Sequence, residues 1–133
     1  MAKAAKIKLL SFSMDDKPGL LAEITGALVS SKVNILSVCA YTVEGTAYVD
    51  VAADSNPAAK KALTKLGIKP EEDEAISVEM ANKKGELDRI AKALAGAGIN
   101  IDYVYGTTST GRTSTCLFGT SDNRKALRVL GKA

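Results

Sequence analysis

The sequence predicts an α+β protein made of two tandem ferredoxin-like units, each βαββα(β), with antiparallel sheets and helices on one face. Three observations carry this. Residues recur without a gap at a spacing of 66: Gly19 and Gly85, Leu21 and Leu87, Ile24 and Ile90, Leu28 and Leu94, Asn34 and Asn100, Ile35 and Ile101, Gly45 and Gly111. Within each copy the apolar pattern switches between the strand period of two and the helix period of 3.6. Turn and capping residues stand where the period changes. Such a duplication sets the whole fold, so it is read before any single element.

Each copy opens on a strand. Leu10, Phe12 and Met14 alternate in one, expected over about residues 6–14, and Ile76, Val78 and Met80 in the other, over about 74–80. A polar turn follows, and Pro18 suits the first turn of a helix, where its missing N–H is no loss. Leu21, Ile24 and Leu28 then form an apolar stripe, matched by Leu87, Ile90, Ala91 and Leu94. Gly98 is a C-terminal stop for the second of these helices, whereas Lys32, at the matching place, is a weaker one. Second strands are expected over 34–43 and 100–108, with Glu44-Gly45 and Thr110-Gly111 as hairpin signals before third strands at 46–53 and 112–119. Pro57 stands near the start of the next helix, and Asp122 is placed as the N-cap of its counterpart.

A strand–helix–strand–strand–helix order packs as an antiparallel sheet with both helices on one face, the layering that a fourth strand normally closes. Here "GIKP" after Leu66 and "GKA" after Leu130 leave almost nothing for that strand. An open edge is a liability, so the expectation is that the units, or two chains, complete each other. The units are expected at 1–70 and 71–133. The acidic run from Glu71 to Glu74 lies between them, the place for a hinge.

The chain has 133 residues, 46% apolar and 25% charged, with a formal charge of +3. That suits a globular protein of one ordinary or two small domains, with basic and acidic clusters too short to imply nucleic acid. No apolar run approaches the roughly 20 residues of a membrane span. The N-terminal "MAKAAKIKLLSFSM" reads as a strand rather than a signal peptide, and the expected location is cytoplasmic. No histidine is present. The commonest general base and metal ligand are therefore missing, and no metal, cofactor or catalytic site is expected. Cys39 and Cys116 are not equivalent under the repeat: position 39 matches Tyr105, and position 116 matches Asp50. Each stands alone in an apolar strand, as a small packed side chain.

The turn before the first helix carries chemistry. The N–H groups of about Gly19, Leu20 and Leu21 have no partner inside the helix and favour a negative group. Asp16 and Asn82 precede the turns, and Asn34 and Asn100 open the next strands. A free amino acid needs donors for its carboxylate and acceptors for its ammonium. Helix-start amides supply the first, Asp16 the second, and an asparagine amide both. The plainer readings stay open beside this one: asparagine also serves helix-to-strand turns, and "KPG" is a general turn signal.

At these residues the sequence resembles the ACT domain signature. "DDKPGLLAEITGALVSSKVNI" shows a polar residue, Pro-Gly-x-Leu, a helix and an Asn-Ile strand entry. The resemblance covers nearly the whole chain as two units. It implies regulatory modules that bind amino acids or similar effectors at an interface between two modules. Carried over by position, it implies ligand contacts from Asp16, Gly19, Leu20, Leu21 and Asn34, and from Asn82, Gly85, Glu86, Leu87 and Asn100. The second copy departs from the signature, with Lys84 for the proline and a carboxylate, Glu86, beside the helix start. The function implied is a freestanding module, not itself an enzyme, that senses an amino acid as a homo-oligomer, such as a dimer, and signals to a separate metabolic enzyme. A purely structural assembly module is the alternative. An RNA-binding module is a weaker one, resting on Tyr103 and Tyr105 on one strand face without the matching motif.

Overall fold

The computed structural model describes residues 2–108 and 110–131. The elements are β1 (Lys3–Asp15), α1 (Leu20–Ser30), β2 (Ile35–Val43), β3 (Thr46–Ala53), α2 (Asn56–Thr64), β4 (Glu71–Ala81), α3 (Glu86–Gly96), β5 (Ile101–Thr107), β6 (Thr113–Thr120) and α4 (Asn123–Leu130). This is the expected βαββα order, twice.

The chain forms two compact units, residues 8–73 and residues 1–7 with 74–133. In the first, β3 pairs antiparallel with both β1 and β2, Phe12 opposite Val49 and Tyr41 opposite Tyr48. In the second, β6 pairs antiparallel with β4 and β5, Val78 opposite Cys116 and Tyr105 opposite Leu117. The open-edge problem has a local answer. Glu71–Asp73 of β4 belongs to the first unit, and Lys3–Ile7 of β1 belongs to the second. The acidic run is thus the start of a strand and not a loose link. Its low strand propensity is overridden by pairing: Glu72 is held by Lys60 at 3.2 Å and Lys8 at 3.6 Å. In the second unit Ala2 and Ala4 pack with Ile76, Val78 and Phe118.

Each core lies between a sheet and its two helices. Leu10, Val49 and Val51 of the first sheet meet Ile24 and Leu28 of α1 and Ala59 and Leu63 of α2. Ile90, Leu94 and Leu130 do the same for the second sheet. The opposite end of α1 shows why Lys32 serves where Gly98 was the clearer stop. Lys32 adopts φ 59° and Gly98 φ 72°. Val33 N–H donates to Leu28 O at 2.9 Å, and Ile99 N–H to Leu94 O at 3.0 Å. Both ends are Schellman motifs, and the buried Val33 and Ile99 anchor them well enough to hold even a lysine in the left-handed region. Ser55 caps α2 and Asp122 caps α4, their side chains accepting from Ala58 and Lys125.

The first hairpin turns at Glu44-Gly45 with φ of 48° and 82°, the type I′ geometry that two positive φ values define. The second is wider. β5 ends at Thr107 and β6 begins at Thr113, so Thr110-Gly111 is part of a longer connection rather than a two-residue turn. Ser109 lies outside the described residues. Gly119 faces Tyr103 across the strands, and a Cβ there would collide with the ring. Among the described residues no helix is long and apolar enough to cross a membrane.

Candidate functional site

Lys17-Pro18-Gly19-Leu20 form a type II turn. Gly19 has φ 84° and ψ 1°, and Leu20 N–H donates to Lys17 O at 3.2 Å. Pro18 therefore occupies the first corner position of a turn, not the first helical turn, because φ near −65° suits both and the glycine that follows selects the turn. The helix starts at Leu20, with Glu23 N–H donating to Gly19 O at 3.0 Å. The Leu20 amide is thus occupied by the turn. The open amides are those of Leu21 and Ala22, since no side chain caps this end.

The second unit repeats the geometry without the proline. Gly85 has φ 87° and ψ −6°, and Glu86 N–H donates to Lys83 O at 3.4 Å. Lys84 can take the position Pro18 takes, because type II geometry demands glycine only at the next residue. Each turn is tied to its hairpin: Asp16 N–H donates to Gly45 O at 2.9 Å, and Asn82 N–H to Arg112 O at 2.8 Å. The Asn82 side chain also donates to Gly111 O at 2.9 Å.

A cavity of about 270 Å³ opens at the first turn, lined by Asp16, Lys17, Gly19, Leu20 and Leu21. Its walls are apolar: Ile24 from α1, Ala40 from β2, and Ala47 and Val49 from β3. The second unit has a cavity of about 220 Å³ at the matching place, lined by Asn82, Lys83, Glu86 and Leu87, with Gly106 and Cys116 behind. Gly85 holds the turn beside it. The strand residues in these walls were not singled out from the sequence. The Glu44-Gly45 turn was the available signal, because its register carries Tyr41 and Thr42 to the helix start.

Asn34 and Asn100 are not in these cavities. Each follows the far end of an 11-residue helix, which at about 1.5 Å per residue is about 16 Å from the turn. Asn34 N–H donates to Asp54 Oδ1 at 3.0 Å, and Asp54 N–H returns to Asn34 O at 3.0 Å. Asn100 exchanges equivalent bonds with Ser121, and its side chain donates to Asp102 at 3.2 Å. At Asn34 these bonds are made by the backbone, and at Asn100 the side chain adds one to its own strand. Within one unit, then, the fold gathers the turn residues and leaves the asparagine at the other end.

Glu86 is the one buried charged residue among those described, 9% exposed. Arg89 Nη2 lies 3.0 Å and Lys83 Nζ 4.0 Å from its carboxylate. The hydrogen bond from Arg89 holds its carboxyl below the usual glutamate range, against the opposing effect of desolvation. A lowered folded pKa gives stability that is present above the unfolded pKa of about 4.3 and lost as pH falls through the folded value. Thermal melts of Glu86→Gln and the parent should therefore differ at pH 7, with the variant lower, and converge below about pH 4. An equal gap at pH 3 would show that the ion pairs are not its cause. Burial raises both cysteine thiols, with the Asp50 charge adding to the effect at Cys39.

A broader groove of about 580 Å³ runs over the first unit's open sheet face. Ser11 donates there to Asp50 at 2.6 Å, and Tyr41 stacks on Tyr48 with ring centroids 5.4 Å apart. None of the residues expected to bind lies in it.

The ACT domain family model matches this chain twice, at residues 8–67 and 75–133. No curated protein matches it. Among solved structures, a Bacteroides thetaiotaomicron protein superposes with a TM-score of 0.90 at 22% identity, over 97% of this chain and 89% of that one. The regulatory subunit of aspartate kinase from Thermus thermophilus gives 0.68 at 16% identity, over 99% and 95%. The corresponding Thermus flavus subunit gives 0.64 at 15%, over 98% and 95%. At these identities the likeness is one of fold.

Proposed function

The chain belongs to the ACT domain family, and from that premise we propose that it is a regulatory module that binds a free amino acid and signals to a separate protein. The observation that carries the reading is the first cavity. There Asp16, the two residues with open helix-start amides and apolar walls line a cavity of about 270 Å³. Asp16 accepts from the ligand's ammonium. The amides of Leu21 and Ala22 receive its carboxylate, aimed by the turn that Gly19 holds at φ 84°. The aliphatic walls hold its side chain.

Asn34 and Asn100 act, in this reading, across an interface with a second copy in a homo-oligomer. The exposure of Asn34 supports this. So do the apolar residues beside it that water covers in the single chain: Val29 is 69% and Leu36 60% exposed. A ligand bridging two modules favours one interface geometry over another, and that difference in affinity is what a partner protein reads. The fold shared with regulatory subunits of aspartate kinase supports a role exercised on a separate enzyme.

Thermal melting against each of the twenty L-amino acids tests this. A ligand at a hundredfold excess over its Kd stabilises the folded state by about 2.7 kcal/mol. One or two amino acids should raise Tm, and the Asn34→Ala, Asn100→Ala double variant should lose the response. No shift with any of them at millimolar concentration would leave a structural assembly module as the better description.

A further inference from the structure

We infer that only the first unit takes a ligand carboxylate, and that Glu86 is the residue that closes the second. This rests on the amino-acid-binding reading and adds a stoichiometry to it: one ligand per chain, from a sequence that repeats the site twice.

The two helix starts have the same backbone. Gly19 and Gly85 differ by 3° in φ and 7° in ψ, from 84° and 1° to 87° and −6°. The difference between the units is therefore one of side chains. Leu20 and Glu86 occupy the same first helical position, and both are buried, at 5% and 9% exposure. In the first unit that position is apolar, and the ion pair at the cavity rim, Lys17 with Glu23 at 3.0 Å, is half open to water, its side chains 56% and 44% exposed. In the second unit that position, a residue of the cavity lining, carries a carboxylate. It has already recruited the two cations a ligand anion would use, Lys83 and Arg89. A second carboxylate arriving there must displace Glu86 from those cations instead of finding them open.

The acceptor for an ammonium changes as well. Asp16 carries a full charge, whereas its counterpart Asn82 is neutral and donates its amide to Gly111 O at 2.9 Å. An asparagine oxygen still accepts from an ammonium, so this second change weakens the site and Glu86 is what closes it. The second unit keeps the fold of a binding unit while a buried carboxylate stands at its first helical position.

Isothermal titration of the full chain with each of the twenty L-amino acids tests this directly. The expected result is one ligand per chain for the parent. Leu20→Glu should weaken binding at least a hundredfold, and Glu86→Leu should raise the stoichiometry toward two. Glu86→Gln, which keeps the shape and removes the charge, gives the same reading should the leucine variant not fold. Two ligands per parent chain at similar affinity would overturn the inference and leave the amino-acid reading standing. A stoichiometry that stays at one in folded Glu86→Leu and Glu86→Gln would remove Glu86 as the cause. No binding of any amino acid would overturn the reading and the inference with it.

Discussion

Replacing Leu94 with alanine will cost about 2–5 kcal/mol, and Leu28→Ala will cost about the same. Both side chains are wholly buried, and they are equivalent positions of the repeat. Leu94 meets the second sheet together with Ile90, Phe118 and Leu130. Its removal leaves a void between helix and sheet that neighbouring backbone cannot close, because both elements are regular and hydrogen-bonded. The loss adds a cavity cost to the lost transfer energy. Domains of this size are held by only about 5–15 kcal/mol, so either substitution takes a large share of the total. Urea denaturation followed by far-UV circular dichroism measures it, as a fall in the midpoint at constant slope. The control is Lys92→Ala on the same helix as Leu94. With its side chain 78% exposed, it should change stability by less than about 0.5 kcal/mol. A Leu94→Ala cost below about 1 kcal/mol would mean that the apolar stripe of α3 is not the face that packs.

That stripe was legible because its period repeats twice in one chain, and the same holds for the other helices. The Glu44-Gly45 turn and the Asp122 cap were legible for a related reason: each is decided by the residue itself within a few neighbours. The elements misread were those decided by distant partners. Lys3–Ala5 and Glu71–Asp73 have poor strand propensity, yet they are strand, because a sheet edge needed covering and these segments reach it. The second hairpin looked like the first at Gly111 but lacked a residue like Glu44 to close a two-residue turn. For the candidate site, the turn residues and their apolar neighbours were found from their order. The separation of Asn34 from the turn was not, since it depends on where a whole helix length points. Nor could charge at Glu86 be placed from sequence alone. Its burial, and the closeness of Arg89, follow from the helix phase and the sheet behind it.

Gly19→Val should lower stability by about 1–2 kcal/mol and weaken amino-acid binding by at least about tenfold. Space is not the reason, since an added Cβ at Gly19 would have nothing within 4 Å. The reason is conformational. At φ 84° a β-branched residue stands in a region that L side chains rarely adopt. The chain can relieve it only by leaving the type II turn, which breaks the Leu20 N–H bond to Lys17 O and redirects the first helical turn. The open amides of Leu21 and Ala22 then point elsewhere, so binding falls by more than the stability does. Gly19→Asn separates the two effects, because asparagine tolerates the left-handed region. It should keep most of the binding and most of the stability. The measurements are thermal melts and titration calorimetry on both variants, with the amino acid that stabilises the parent. If Gly19→Val binds as the parent does while melting lower, the turn supports the fold but does not aim the amides. The site would then have to be sought in another part of the module.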